Sequence, residues 1–394
     1  MERKGNPCIC IENHEVFTAN ITDSITYNIF VFYFRLFLQG LSCIHFFIDW
    51  NNRINGHCIW VCLLKKIVYQ MNNYSWLQQK LHQIALSSRF MREVMFDVES
   101  SSISTNQTDD NHIFVSGLAR SGTTILLNAI YKSNKFASLS YKDMPFILAP
   151  NLWSKLYRNM KDIDYLERAH GDGIKVSIDS PEAFEEVFWM TFNEYDKDTK
   201  DKFKNYVQLI NYKYQKKRYL SKNNQNIRRL KLISEIFPDS KILIPFRNPI
   251  HHAYSLFSQH KKFIEDSRKD KFISNYMMWI GHTEFGPNYI PIHDKKLCFE
   301  DDLTINHWLE QWYLTYKQCF DNHKSNENVY FICYERLCNT NEYWFDILKI
   351  LNIEETYDFE FKESNKIISL EMNEEITNKG LSLYKTLSQL TLHH

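Results

Sequence analysis

His112-Ile-Phe-Val-Ser116, Gly117-Leu-Ala-Arg-Ser-Gly-Thr-Thr124 and Ile125-Leu-Leu-Asn-Ala-Ile130 follow one another without a break. They read as a short apolar strand, a glycine turn and a helix. Gly117-x4-Gly122 followed by two threonines has phosphate-loop spacing. Such a turn favours an anion, because N–H groups at a helix N-terminus are unpaired and lie at the positive end of the helix dipole. A nucleotide-triphosphatase loop carries Lys directly after the second glycine. Here that position is Thr123, and the basic residue comes earlier, at Arg120. The displaced charge counts against ATP or GTP hydrolysis. A small-molecule kinase on the same nucleotide fold stays as the alternative.

Two more units of the same kind lie downstream. Ile227–Phe237 has the spacing of an amphipathic helix. The turn Pro238-Asp-Ser240 and the apolar strand Lys241-Ile-Leu-Ile-Pro-Phe246 follow it. Pro within that strand points to an edge or an irregularity. Arg247-Asn-Pro249 then opens a loop, with Pro249 at a first helical position. The third unit is a helix carrying Trp308, Trp312 and Tyr316 on one face, the strand Val329–Tyr334, and a helix around Tyr343–Leu351. Strands alternating with helices predict an α/β, P-loop-like three-layer fold, with a central parallel sheet flanked by helices.

Lys plus Arg number 47 and Asp plus Glu number 47, so the formal net charge is zero. That balance argues against a broad nucleic-acid surface but leaves room for one small anion site. Nine cysteines have no zinc-site spacing and read as reduced thiols, in keeping with a cytoplasmic placement. No metal site is expected. Residues 1–70 differ in character from the rest and read as an N-terminal extension. The apolar run Ile25–Ile48 is long enough to span a bilayer, although Arg35 near its middle is costly there. Membrane contact is expected only if 25–48 is an anchor; a packed extension or a mis-assigned start ranks above that. A domain of 71–394 is expected, opening on a helix through Trp76, Leu81 and Ala85. Residues 99–111 read as a polar linker before the first strand.

At these residues the chain resembles the sulfotransferases that use 3′-phosphoadenosine 5′-phosphosulfate. In that family the first loop reads Pro-Lys/Arg-Ser-Gly-Thr-Thr; Ala119-Arg-Ser-Gly-Thr-Thr124 matches it apart from Ala119. The second element, Arg-(Asn/Asp)-Pro with Ser eight residues after the Arg, is matched by Arg247-Asn-Pro249 and Ser255. Tyr334-Glu-Arg-Leu337 matches a later Tyr-Glu-x-Leu. The resemblance covers roughly residues 112–352. The Arg form of the loop looks closest to tyrosylprotein sulfotransferases and bacterial relatives.

The resemblance implies roles. Ser121, Gly122, Thr123 and Thr124 would hold the phosphosulfate, with Arg120 stabilising the leaving group. Arg247 and Ser255 would hold the 3′-phosphate, and Lys222 would be a second cation or proton donor. The relatives' Glu base, about twenty residues past the loop, has no Glu counterpart here. Asp143 is the one carboxylate in that zone, and His170 is the rival base because an imidazole titrates in the right range. Asp172, Glu185 and Glu186 are candidates to face the acceptor, while Glu182 reads as a cap on a helix starting at Pro181. The co-substrate would be the phosphosulfate nucleotide, without a metal. The acceptor would be a carbohydrate, metabolite or tyrosine hydroxyl, and a non-catalytic nucleotide-binding relative stays as a third reading.

Overall fold

The computed structural model describes residues 76–104, 109–157, 179–269, 271–293, 303–363 and 368–390. The run at 25–48, His170 and Asp172 lie outside the described residues. Five strands form one parallel sheet: β1 (Ile113–Val115), β2 (Phe136–Ala137), β3 (Arg218–Lys222), β4 (Lys241–Phe246) and β5 (Val329–Cys333). The order is β2-β3-β1-β4-β5. Phe114 pairs with Ser221 on one side and Ile242 on the other, which makes β1 the middle strand.

The three residues of β1 are all fully buried. Successive side chains of a strand point to opposite faces, and the two faces are filled differently. Ile113 and Val115 pack with Leu126, Leu127 and Ile130 of the Thr123–Tyr131 helix and with Trp344 and Ile347 of the Asn341–Ile350 helix. Phe114 points the other way, stacked with Phe237 at 6.0 Å between ring centroids and tilted against Phe203 at 6.3 Å. Helices on both faces and a parallel sheet between them make the three-layer α/β, P-loop-like arrangement that the strand–helix alternation predicts. The Trp308, Trp312 and Tyr316 stripe is core, with Trp312 and Tyr316 fully buried.

Four local expectations change. The Arg89–Ser102 helix runs through the first part of the expected linker, because Glu99 is a buried anchor rather than a solvated loop residue. Its carboxylate accepts from the backbone N–H groups of Asn151 and Leu152, at 3.0–3.1 Å, and from Asn151 Nδ2 at 2.7 Å. It thereby caps the first turn of the Pro150–Tyr157 helix. Glu99→Ala should lower unfolding free energy by about 1–3 kcal/mol, since those buried donors lose their acceptor; a denaturant titration with an unchanged midpoint would refute the cap.

The span 227–237 splits into a 3-10 turn, Asn224–Arg228, and a helix, Leu230–Ile236, because the Asn223 side chain caps Gln225 N and starts the turn early. Pro245 lies on an internal strand, not an edge. Pairing of β4 with β1 stops at Leu243, so Pro245 sits beyond the reach of β1, where its missing N–H is no loss. The helix expected at Pro181 begins at Glu186, because Pro181 is instead held extended in a bridge to Ser140.

Candidate active site

In a parallel sheet the carboxyl ends of the strands collect at one edge, and ligands bind there. β1 runs out into 117–124, β3 ends on Lys222, β4 is followed by Arg247 and β5 by Tyr334. Arg120, Gly122, Thr124, Lys222, Arg247 and Tyr334 accordingly line one cleft of about 160 Å³.

The loop is shaped by two left-handed residues. Gly122 has φ 99° and caps the Thr123–Tyr131 helix. A Cβ at Gly122 would meet the Tyr334 ring at 2.4 Å. Both the backbone conformation and the space therefore require glycine. Gly122→Ala is expected to displace the loop and weaken anion binding in the cleft about 5- to 150-fold, from a strain of roughly 1–3 kcal/mol. Calorimetry with adenosine 3′,5′-bisphosphate would show it, and wild-type affinity would contradict it.

Arg120 adopts φ 68° without being glycine. Strain of that kind persists only where neighbours hold it, and three neighbours do. His252 Nε2 lies 2.8 Å from the Ala119 carbonyl and Arg247 Nη1 donates to the Arg120 carbonyl at 3.2 Å. Arg120 Nε itself donates to Ser255 Oγ at 3.2 Å. Burial lowers the His252 pKa to about 3, so the ring is neutral and its Nε2 carries the proton that the carbonyl accepts. The Pro249–Lys269 helix thus clamps the first loop from its own first turns.

The Arg247-Asn248 turn is anchored from below by Glu335, whose Oε1 accepts from Asn248 N at 2.8 Å. Tyr384 of the Glu374–Ser388 helix donates to the other oxygen at 3.1 Å. The Tyr334-Glu335 pair therefore has two jobs: the ring closes over Gly122 and stacks under the Arg247 guanidinium, 5.3 Å away, while the carboxylate fixes the turn.

Two donors in the cleft lining, Arg247 Nε and Gln259 Nε2, are buried without a hydrogen-bond partner. Buried polar atoms are rarely left so unless a ligand completes them. With Arg120, Lys222 and the first-turn N–H groups of the Thr123–Tyr131 helix, they make a pocket of donors facing inward. Two donor loops a strand apart suit an anion with separated phosphates rather than a single phosphate.

The acid–base candidates sort differently from the expectation. Asp143 is fully buried, ion-paired with Lys213 and bonded by Tyr214 OH at 2.6 Å and Ser140 N at 2.7 Å. That closed capping network does not line the cleft. Glu185 is held by Asn226, Trp189 and Tyr219 inside the core. Glu186 pairs with Arg229 at 2.7 Å. Neither faces the cleft; both brace the turn that follows β3. Ser121 is fully buried beneath the loop and Thr123 Oγ1 is 3.4 Å from Asn224 Oδ1. Thr123 lines the cleft and Ser121 does not.

Lys222 lies 3.9 Å from Glu182 Oε1, both buried. Glu182 also accepts from Tyr141 OH at 2.7 Å and from Ala183 N at 2.9 Å. His282 and Glu284 enter the cleft from a segment about sixty residues beyond Lys222. His282 Nε2 is 3.3 Å from the Ala183 carbonyl, and Glu284 Oε1 accepts from Asn224 Nδ2 at 3.0 Å. Burial lowers the His282 pKa, the Lys222 charge adds to that, and the Glu284 and Glu182 carboxylates oppose it. No local motif marks His282 or Glu284 in the sequence.

Among the described residues no group of three or more His, Cys, Asp or Glu could hold a metal ion, and no helix is long and apolar enough to cross a membrane. The three cysteines described, Cys319, Cys333 and Cys338, are free thiols.

Comparison with known proteins gives a partial family match. The model of the sulfotransferase family matches residues 112–284, a span that holds the first loop, Lys222, the Arg247 turn and His282. No curated protein sequence matches the chain. Among solved structures, sulfotransferase STF1 of Mycobacterium tuberculosis is similar at 12 % identity and a TM-score of 0.41, over 84 % of this chain and 87 % of that one. A sulfotransferase of Alicyclobacillus acidocaldarius is similar at 16 % identity and 0.35, over 71 % and 97 %. Mouse sulfotransferase SULT7A1, solved in complex with PAP, is similar at 14 % identity and 0.29, over 75 % and 71 %.

Proposed function

From the premise that residues 112–284 belong to the sulfotransferase family, we propose that the protein transfers a sulfuryl group from 3′-phosphoadenosine 5′-phosphosulfate to a hydroxyl. The observation that carries the reading is the pair of anion-binding elements on adjacent strand ends. The first loop presents backbone donors and Arg120, and the neighbouring turn presents Arg247 with an unpartnered Nε. Two separated anion sites fit a nucleotide with a 5′-phosphosulfate and a 3′-phosphate, and they fit ATP less well.

Gly122, Thr123 and Thr124 would hold the phosphosulfate through backbone N–H groups. Arg247 and Ser255 would hold the 3′-phosphate, the Arg through its planar fork. Bound there, the nucleotide supplies an activated sulfuryl group, and its S–O bond to the phosphate breaks as charge grows on the bridging oxygen. Arg120 and Lys222 stabilise that charge from fixed positions in a partly dry cleft, where preorganised donors are most effective. Lys222 replaces a metal ion in this account, with its cation held against Glu182.

His282 takes the acceptor proton. A carbonyl can only accept, so Nε2 facing Ala183 O carries the hydrogen and the lone pair belongs to Nδ1. The lowered pKa keeps the ring in its neutral, basic form at neutral pH. Glu182 is a poorer choice because both its oxygens already accept hydrogen bonds. The test is incubation with the phosphosulfate nucleotide and a mixed panel of hydroxyl acceptors, following the release of adenosine 3′,5′-bisphosphate together with a sulfated product. Labelled ATP with magnesium serves as the second arm. Phosphoryl transfer in that arm, without sulfuryl transfer in the first, would overturn the proposal in favour of a kinase.

A further inference from the structure

The turn that carries Arg247 has little regular structure of its own. β4 ends at Phe246, and the next helix starts at Pro249. Arg247 and Asn248 belong to neither. A planar guanidinium grips two oxygens of one phosphate when it is held to within about 0.5 Å and 10–20° of the right geometry. The support for that precision has to come from outside the turn.

One helix reaches the turn at three points. In the Glu374–Ser388 helix, Gly380, Leu383, Tyr384 and Leu387 share one face, at spacings of three and four residues. The Tyr384 ring meets Phe246 edge-on, with centroids 5.8 Å apart at 73°. Its hydroxyl donates to Glu335 Oε2 at 3.1 Å, and Glu335 Oε1 accepts from Asn248 N at 2.8 Å. Burial and the Glu335 carboxylate push the Tyr384 pKa up, so the phenol keeps the proton it donates. Gly380 comes up against Pro249: a Cβ there would stand 3.2 Å from Pro249 Cβ and 3.4 Å from its Cγ. The helix thus touches Phe246 and Pro249 directly and reaches Asn248 through Glu335.

Gly380 is the informative residue. It is the seventh of fifteen in the helix, an interior position where glycine is the poorest helix former after proline. Its backbone is helical, so no left-handed conformation demands glycine there. What glycine supplies at such a point is close approach. An added methyl would have to move the Pro249 ring or the helix itself by a few tenths of an ångström. Either movement shifts the support of the Arg247 turn.

Resting on the sulfuryl-transfer reading, we propose that the Glu374–Ser388 helix belongs to the 3′-phosphate site, with Gly380 and Tyr384 as positioning residues that set the Arg247 fork. Neither lines the cleft. They act through Pro249, Phe246 and Glu335. The preference for a separate 3′-phosphate over phosphates in a row then depends on a helix about ninety residues beyond the family-matched span of 112–284.

The experiment titrates the full chain with adenosine 3′,5′-bisphosphate and with ADP by calorimetry, and follows unfolding in denaturant. The wild-type protein should bind the bisphosphate more tightly. Gly380→Ala and Tyr384→Phe should each weaken the bisphosphate about three- to tenfold and ADP by less than about twofold. Alanine is the better helix former, so Gly380→Ala should lose selectivity with little change in the unfolding midpoint. Leu387→Ala is the control. It opens a cavity on the same face about one turn past Tyr384, and should lower the midpoint while leaving the ratio of the two affinities as it was. A fall of that ratio in Leu387→Ala equal to the fall in Gly380→Ala would make the helix a general support and overturn the proposal. So would wild-type affinities in both variants, equal losses for the two nucleotides, or a wild-type protein that binds ADP as tightly as the bisphosphate. None of these outcomes touches the turnover test of sulfuryl transfer. Absence of bisphosphate binding by the wild-type protein removes the sulfuryl-transfer reading itself, and the positioning role with it.

Discussion

Arg247→Ala is expected to weaken binding of adenosine 3′,5′-bisphosphate by about 30- to 150-fold, and binding of ADP hardly at all. The guanidinium offers the 3′-phosphate a charged fork, and its Nε is a buried donor that nothing in the protein satisfies. Loss of one partner of a desolvated charged contact costs about 2–5 kcal/mol. The site is partly open to water, so the lower part of that range applies, roughly 2–3 kcal/mol. Arg247→Lys should recover only part of the loss, because an ammonium cannot bridge two phosphate oxygens while also reaching the Arg120 carbonyl. Calorimetric titration with both nucleotides checks this. Equal losses for bisphosphate and ADP would show that Arg247 acts only by holding the loop.

His282→Gln is expected to lower kcat by about 10²–10⁴-fold, the range for removing a general base, with bisphosphate affinity preserved. The pH profile carries the sharper test. The base works in its neutral form, and burial holds the His282 pKa below the usual imidazole value of 6.5. Activity should therefore be level across neutral pH and fall on acidification only below 6.5, as the ring takes a proton. In the Gln variant that acid limb should vanish from the residual rate. If Glu284 were the base instead, Glu284→Gln would cause the large loss and His282→Gln would not. A full rate in His282→Gln would rule out the imidazole.

His282, Glu284 and Phe285 share a segment, 282–285, that enters the cleft from a part of the chain with no phosphate-loop character. His282 binds the backbone of Ala183 and Glu284 binds Asn224. The proposed base is thus braced through Ala183, and its neighbour Glu284 through Asn224.

The two anion-binding turns of this protein were readable from local sequence. Lys222 was singled out by the family resemblance, whereas a glycine turn after a strand and an Arg-Asn-Pro turn after another are short-range features. Backbone geometry at a strand end dictates each of them, and a parallel sheet must bring those ends to one edge. The proposed base was not readable. Asp143 and His282 are both ionisable and both near aromatic residues in sequence, but only packing tells them apart. Lys213 and Tyr214 from a distant helix close off Asp143, whereas Ala183 and Lys222 leave His282 at the cleft. Glu99, Glu182 and Glu185 make the same point: a carboxylate's role depends on which donors the fold brings to it, and those donors lie about forty to fifty residues away along the chain.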